Sequence, residues 1–308
     1  MRSTDAGGRT RKRGFAMALM TVALAIGLVL IYLPDMEGAV SQHRFDKKID
    51  EIDAVAGELA SGGSRLSDEA AAYSELFSAC EAYNRILAGE GQRPNDPFAY
   101  SGAGETFSNL GAPDGLVGYL SVPSICCDLP LYFGSTYEHM AQGATIVAGT
   151  SVPLGELNSN CVIAAHRGWS GAAMFRDIEE LETGDAVTIA TPWDTLEYRV
   201  ESFKVVEPGD TESILIQPGR DMVTLLTCHP YGPNASRYLV YCSRDIGNWE
   251  PAVEGGSGVA EAGGETRPAT LPEIEKGVKR AVSVVLALSL LTFLGRVAVS
   301  RLQRKSGR

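Results

Sequence analysis

From residue 116 the hydrophobic pattern takes the short period of β-strands and keeps it for about 130 residues. Strand-like runs fall at 116–121, 129–133, 145–148, 161–166, 186–190, 196–206, 222–228 and 237–243, separated by clusters of Gly, Pro, Asn and Asp. Eight strands in one open sheet would leave its two outer edges exposed. A single closed barrel or a sandwich is therefore expected, because pairing the edges removes templates for aggregation. Within this region one helix is expected over 172–181, with shorter helical turns near 137–142 and 212–215.

The chain before this region reads differently. Residues 42–60 and 67–87 carry helical spacing. In the second, Ala70, Tyr73, Phe77, Cys80 and Leu87 recur at steps of three and four, interrupted by Asn84, and Ser67 is a suitable cap. The first is polar, with Phe45, Ile49, Ile52 and Val55 as a thin apolar stripe, as for a helix lying on a domain surface. Residues 89–111 form a loop rich in Gly, Pro and Asn, long enough to expect a function. Residues 250–268 are rich in Gly, Glu and Ala and read as a flexible tether. No internal repeat is apparent.

Both ends carry apolar segments. Residues 15–33 are uncharged and follow Arg9, Arg11, Lys12 and Arg13. At ~1.5 Å of rise per residue they suit a bilayer core ~30 Å thick. A signal peptide is the alternative; the absence of a small-x-small cleavage site favours an uncleaved anchor. Residues 281–300 contain one charge, Arg296, near the end, where its side chain can snorkel. The basic tails at both ends place the termini in the cytoplasm and everything between outside the cell membrane. Boundaries are thus expected at 1–14 (basic tail), 15–33 (anchor), 35–111 (helical segment and loop), 112–249 (barrel), 250–276 (linker), 281–300 (second span) and 301–308 (basic tail). The net charge of −11 becomes more negative still for the outer part, which argues against nucleic-acid binding.

Three residue types at strand ends suggest chemistry. The run 222–227 delivers Cys228, the run from 161 ends in His166, and Arg237 opens the next run after the cysteine. A thiolate can attack a carbonyl, an imidazole can carry protons and a guanidinium can stabilise an oxyanion, which together suffice for acyl transfer through a thioester. His229 adjoins Cys228 and should project to the opposite face, so His166 is the better partner. Arg167 alternates away from His166 and should be structural. His43 and His139 are expected at the surface. Thr227 and Asn234 either shape the site or serve only the fold.

These residues sit in a recognisable pattern. Thr224, Leu225, Thr227, Cys228, Pro230, Gly232, Asn234 and Arg237 meet the spacing T-L-x-T-C-x-P-x-G-x-N-x-x-R without a gap. His166-Arg167-Gly168, Phe175 and the stretch 181–185 fit the accompanying histidine segment. The region from about 116 to 244 resembles the sortases, cysteine transpeptidases of Gram-positive surfaces, and specifically the pilin-polymerising class C. One departure is Ala164-Ala165, where the family often has a hydroxyl residue and Gly.

The resemblance implies an all-β fold, a closed eight-stranded sortase-type β-barrel with short helices, preceded by an N-terminal helical segment and flanked by two transmembrane helices. It implies Cys228 as nucleophile, His166 as proton carrier and Arg237 as oxyanion partner. Asp96-Pro97-Phe98 matches the Asp-Pro-aromatic lid of class C. The implied substrates are pilins or surface proteins with a Leu-Pro-x-Thr-Gly-like sorting motif, cleaved between Thr and Gly and joined to a lysine amine of a pilin. The alternatives are a housekeeping sortase that anchors proteins to peptidoglycan and a noncatalytic pilus-assembly scaffold. A papain-like hydrolase fits less well, because its nucleophile would start a helix.

No cofactor motif and no metal-ligand spacing is present. With Cys228 set aside for chemistry, Cys80, Cys126, Cys127, Cys161 and Cys242 form an odd set. Mostly reduced thiols are expected, with one disulfide as the alternative.

Overall fold

The computed structural model describes residues 37–62, 66–99, 107, 110–247 and 281–284, together with 22 and 26–27. Helix α1 is described over 37–60 and α2 spans Asp68–Glu90. The strands are β1 (Leu116–Val122), β2 (Cys127–Phe133), β3 (Ala144–Ile146), β4 (Ser159–Ala164), β5 (Ala186–Ala190), β6 (Thr195–Val206), β7 (Asp221–His229) and β8 (Ser236–Arg244). Helix α3 (Tyr137–Gln142) lies between β2 and β3. The strands close into a barrel in the order β1-β2-β3-β4-β7-β8-β6-β5, so the barrel rather than the sandwich is adopted. β2–β3 and β4–β7 run parallel; the other pairings are antiparallel.

The apolar runs of β4 and β7 are nearly continuous because both faces of this wall are covered. One face of the wall carries Cys161, Ile163, Val223, Leu225, Val240 and Cys242, which join the main core. The other carries Val162, Ala164, Leu226 and Leu239, which pack with Met140, Val147, Val206 and Ile214 in a second cluster.

The helices belong to the main core as well. Phe45, Ile52 and Val55 of α1 and Ala70, Tyr73, Leu76 and Cys80 of α2 are buried in it. The Ser67 side chain caps α2 by accepting from Ala70 N. Asn84, which interrupts the apolar spacing, is buried for a polar purpose. Its Nδ2 donates to Val152 O at 2.9 Å, and its Oδ1 accepts from Val152 N at 2.8 Å. Tyr83 Oη donates to Thr150 O at 3.1 Å and Tyr73 Oη to Leu116 O at 3.1 Å, so α2 is stapled to the barrel through backbone carbonyls.

Several expectations need correction. No α-helix forms over 172–181. Met174 takes a positive φ of 45°, and the 3-10 turn Ile178–Glu180 replaces regular helix. The local bonds run to the third residue back, as from Arg176 N to Ala173 O and Ile178 N to Phe175 O. Its apolar residues Ala172, Met174, Phe175, Ile178 and Leu181 are all buried, so tertiary packing satisfies a spacing that resembles a helix. Leu76 is buried in α2, whereas Phe77 lies at the edge against Trp193. His139 is half-buried rather than fully exposed: it stacks on Tyr132 at 5.2 Å, and its Nδ1 lies 2.8 Å from Phe133 O. All six cysteines are free thiols. Cys126 sits in a left-handed turn just before β2, and Cys127 opens that strand.

Among the described residues no helix is long and apolar enough to cross a membrane. The expected spans at 15–33 and 281–300 fall almost wholly outside the described residues, as does the tether at 250–268.

Asn84→Ala should destabilise the protein by about 2–3 kcal/mol, because it strands the buried N–H and C=O of Val152. Urea unfolding followed by tryptophan fluorescence should show a lower midpoint with an unchanged slope; an unchanged midpoint would show that water replaces the staple without cost.

Candidate active site

Strand register brings the three chemically distinctive residues together. β4 and β7 pair in parallel up to Ala164 opposite Leu226. The pairing continues beyond the strand end, with Ala165 N donating to Leu226 O at 3.2 Å and Thr227 Oγ1 to Ala165 O at 2.8 Å. Two further steps along this register set His166 beside Cys228. On the other side of β7, Cys228 lies directly opposite Arg237 of β8. Alternation then fixes the face: His166, Cys228 and Arg237 share parity with Ala164, Leu226 and Leu239, so all three belong to the face of the second cluster. Thr227 belongs to the opposite parity and is fully buried, which makes it a staple between the two strand ends.

The loop after α2 covers this face. Asp96 pairs with Arg237 through two bonds, Nη2 to Oδ2 at 2.8 Å and Nε to Oδ1 at 3.2 Å. The Phe98 ring lies 5.0 Å from the Arg237 guanidinium carbon and 5.9 Å from the His166 ring, and it packs on the second cluster. Pro97 opens a 3-10 turn, Pro97–Ala99, and Asp96 Oδ1 also accepts from Phe98 N at 3.1 Å. Carboxylate, proline and aromatic ring thus form one rigid plug. The remaining Arg237 nitrogen, Nη1, donates to Ser236 O at 3.0 Å and Asn234 O at 3.4 Å. Asn234 therefore contributes through its backbone, at a positive φ of 57°.

The opposite face holds a buttress. Arg167 and His229 follow His166 and Cys228 by one residue and meet there, with Arg167 Nη1 3.1 Å from His229 Nδ1. Glu179 joins both, through Oε2 to Arg167 Nη2 at 2.7 Å and Oε1 to His229 Nδ1 at 2.7 Å. Arg167 Nη1 also donates to Cys228 O at 3.4 Å, and its side chain is only 4% exposed. The expectation that Arg167 and His229 face away from the thiol agrees with this placement. Their mutual contact and their tie to Glu179 were not expected from the sequence.

Trp169 is a second residue that sequence reasoning passed over. Its ring stacks on His166 at 4.6 Å with 13° between planes. Its backbone exchanges two hydrogen bonds with Ala172, at 2.8 and 3.0 Å, so the ring is held in place. The available signal was a lone tryptophan in the small and polar run Gly168-Trp169-Ser170-Gly171. Glu179, in a stretch that also holds Glu180 and Glu182, offered none.

The electrostatics of the covered site favour neutral groups. Burial pushes the Cys228 thiol above the ordinary cysteine range and the Asp96 carboxylate adds to this, while the guanidinium groups of Arg237 and Arg167 pull it down. Burial alone lowers the His166 imidazole. The buried thiols are shifted up more strongly, Cys80 to about 12, which leaves Cys228 the more readily ionised of these. Among the described residues no group of His, Cys, Asp and Glu is arranged to hold a metal ion.

Comparison with known proteins matches this arrangement to one family. The sortase domain matches residues 120–245. Sortase A of Bacillus anthracis is 30% identical over 125 residues, which cover 41% of this chain and 58% of that protein. This chain therefore spans less than two thirds of that curated relative. Among solved structures, the sortase C of Streptococcus pneumoniae, described for its catalysis and pilin substrate specificity, is 32% identical with a TM-score of 0.55. The match covers 64% of this chain and 95% of that one. Sortase C-1 of Actinomyces oris is 33% identical with a TM-score of 0.52, covering 56% of this chain and 98% of that one. With the family domain spanning the barrel and a solved relative covered almost end to end, the chain belongs to the sortase family.

Proposed function

We propose that the protein is a class C sortase, a membrane-anchored cysteine transpeptidase that polymerises pilins on the outer surface of the cell, with both termini in the cytoplasm. The observation that carries this reading is the Asp96–Arg237 clamp with Phe98 laid over His166. A plug built into the chain suits an enzyme that must withhold its thioester chemistry until a protein substrate arrives. The alternative of a housekeeping sortase does not account for it.

In the proposed reaction Arg237 exchanges Asp96 for substrate. The Cys228 thiolate attacks the threonine carbonyl of a Leu-Pro-x-Thr-Gly-like motif, and Arg237 donates to the oxyanion. His166, protonated by the thiol, gives that proton to the departing glycine amine as the C–N bond breaks. A lysine amine of the next pilin then attacks the thioester. His166 takes its proton, the C–S bond breaks, and an isopeptide bond remains. The thioester conserves the energy of the cleaved peptide, so no nucleotide is required.

Cys228→Ala should abolish polymer formation while leaving the fold intact. Mass spectrometry of the wild type with a sorting-motif peptide should find the acyl adduct on Cys228; an adduct on another cysteine would sink the assignment. Arg237→Lys should lose about 100- to 1,000-fold in the chemical rate, since a point charge cannot reproduce the two-pronged contact. Incubation with candidate pilins should give a ladder of covalent multimers, and a product joined to peptidoglycan instead would select the housekeeping role.

The plug also sets the pH response. Because burial and Asp96 both raise the thiol, opening the plug should move Cys228 titration to lower pH. Alkylation by a small reagent should therefore be faster near neutral pH in the Asp96→Ala, Phe98→Ala double variant than in wild type, with a lower midpoint. Arg167→Gln should shift the midpoint the other way, since its cation favours the thiolate. An unchanged profile in the folded double variant would reduce the plug to an ordinary surface turn.

A further inference from the structure

The reading above requires a second substrate, an amine, to reach His166, and the structure offers a surface for it. Trp169 stacks on His166, and Tyr137 meets Trp169 edge-on at 5.8 Å with 85° between planes. Tyr137 is 61% exposed, although it is a large aromatic residue beside a covered site. It is the first residue of α3, fixed there by the Thr136 side chain accepting from His139 N at 3.1 Å. Met140, one turn on, is buried in the second cluster. The backbone beneath both rings is thus held in place. Together they make an aromatic path that begins in solvent at Tyr137 and ends on the imidazole.

We infer that Tyr137 and Trp169 form the binding site for the acceptor, receiving a primary alkylammonium such as a lysine side chain and guiding it to His166. The inference rests on the transpeptidase reading and adds the location and chemistry of its second substrate. In solution the acceptor amine is protonated, and a cation over the face of Tyr or Trp is attracted by the ring quadrupole. The amine loses one proton to solvent to become a nucleophile, and as the neutral amine attacks the thioester His166 takes a second proton, so that its ring becomes a cation stacked on Trp169. The same aromatic surface thus stabilises the positive charge before the transfer, on the amine, and after it, on the imidazole. The acyl group occupies a different flank. Phe98 touches both Arg237 and His166, so the oxyanion side lies toward β8, whereas Trp169 and Tyr137 lead from His166 toward α3. Glu138, next to Tyr137 and exposed, adds a negative charge to the first turn of α3.

The test separates the two half-reactions of the full-length protein in detergent. Acylation is read as thioester formed from a Leu-Pro-x-Thr-Gly peptide. Aminolysis is read as transfer to a peptide with blocked termini and one lysine. Tyr137→Leu retains apolar area but removes the π face. It should raise the KM for the lysine peptide by about 3- to 10-fold, and the hydrolysed fraction of the thioester should grow. Tyr137→Phe, which keeps the π face, should restore most of the lysine affinity lost in Tyr137→Leu. Hydroxylamine, a nucleophile that is neutral near pH 7, should react equally well with the thioesters of wild type and Tyr137→Leu. Loss of acylation in Tyr137→Leu would overturn the proposal by making the ring part of the sorting-motif subsite. So would equal losses with lysine peptide and hydroxylamine, or a lysine KM unchanged from wild type. A wild-type protein that forms no thioester would fail at the first step, which removes the transpeptidase reading itself and not merely the acceptor site.

Discussion

The site depends on the alignment of three adjacent strands. β4 and β7 run parallel, so the same end of each reaches the same rim, and β8 returns antiparallel beside β7. The register decides which side chains meet. A slip of one residue between β4 and β7 would present Arg167 beside Cys228 in place of His166, and would turn the imidazole to the wrong face. Closure of the barrel stabilises this register from both sides, because each strand of the wall is paired along both edges. The Thr227–Ala165 bond pins it where the strands themselves end.

Alternation at the rim separates two kinds of work. The face with Cys228, His166 and Arg237 meets the plug, while the face with Arg167 and His229 is tied to Glu179. A buried guanidinium needs partners if it is to remain stable. Glu179, His229 and the Cys228 carbonyl supply them, and in return they fix the peptide that carries the thiol. The cation on this rear face also acts on the thiol, so the buttress has an electrostatic role beyond support.

In the proposed reaction the plug competes for the same guanidinium that the developing oxyanion would use. Asp96 offers a carboxylate in two-pronged geometry, the strongest competitor a side chain can provide. Its placement depends on α2, whose Asn84 and Tyr83 fasten to the barrel near Thr150 and Val152 shortly before the chain turns into the loop. A helix that looks peripheral in the sequence is thereby the anchor of the cover.

Local pattern determined much of this protein without help. Period-two runs bounded by Gly, Pro and Asn located all eight strands to within a few residues, because strand formation and its interruption are short-range properties. The spacing around Cys228 and Arg237 likewise put both residues within reach of one another, since a hairpin-like return is a local device. Only the tertiary structure decided the rest. The apolar residues at 172–181 have helix-like spacing but are buried in a turn whose shape the surrounding core dictates. Asn84 looked like a flaw in an apolar stripe and is a staple, because its partner lies 68 residues away. The meetings of Glu179 with Arg167 and His229, and of Tyr137 with Trp169, join separate segments of the chain. Contacts of that kind leave no periodicity, since they exist only once closure of the barrel has brought distant backbone together.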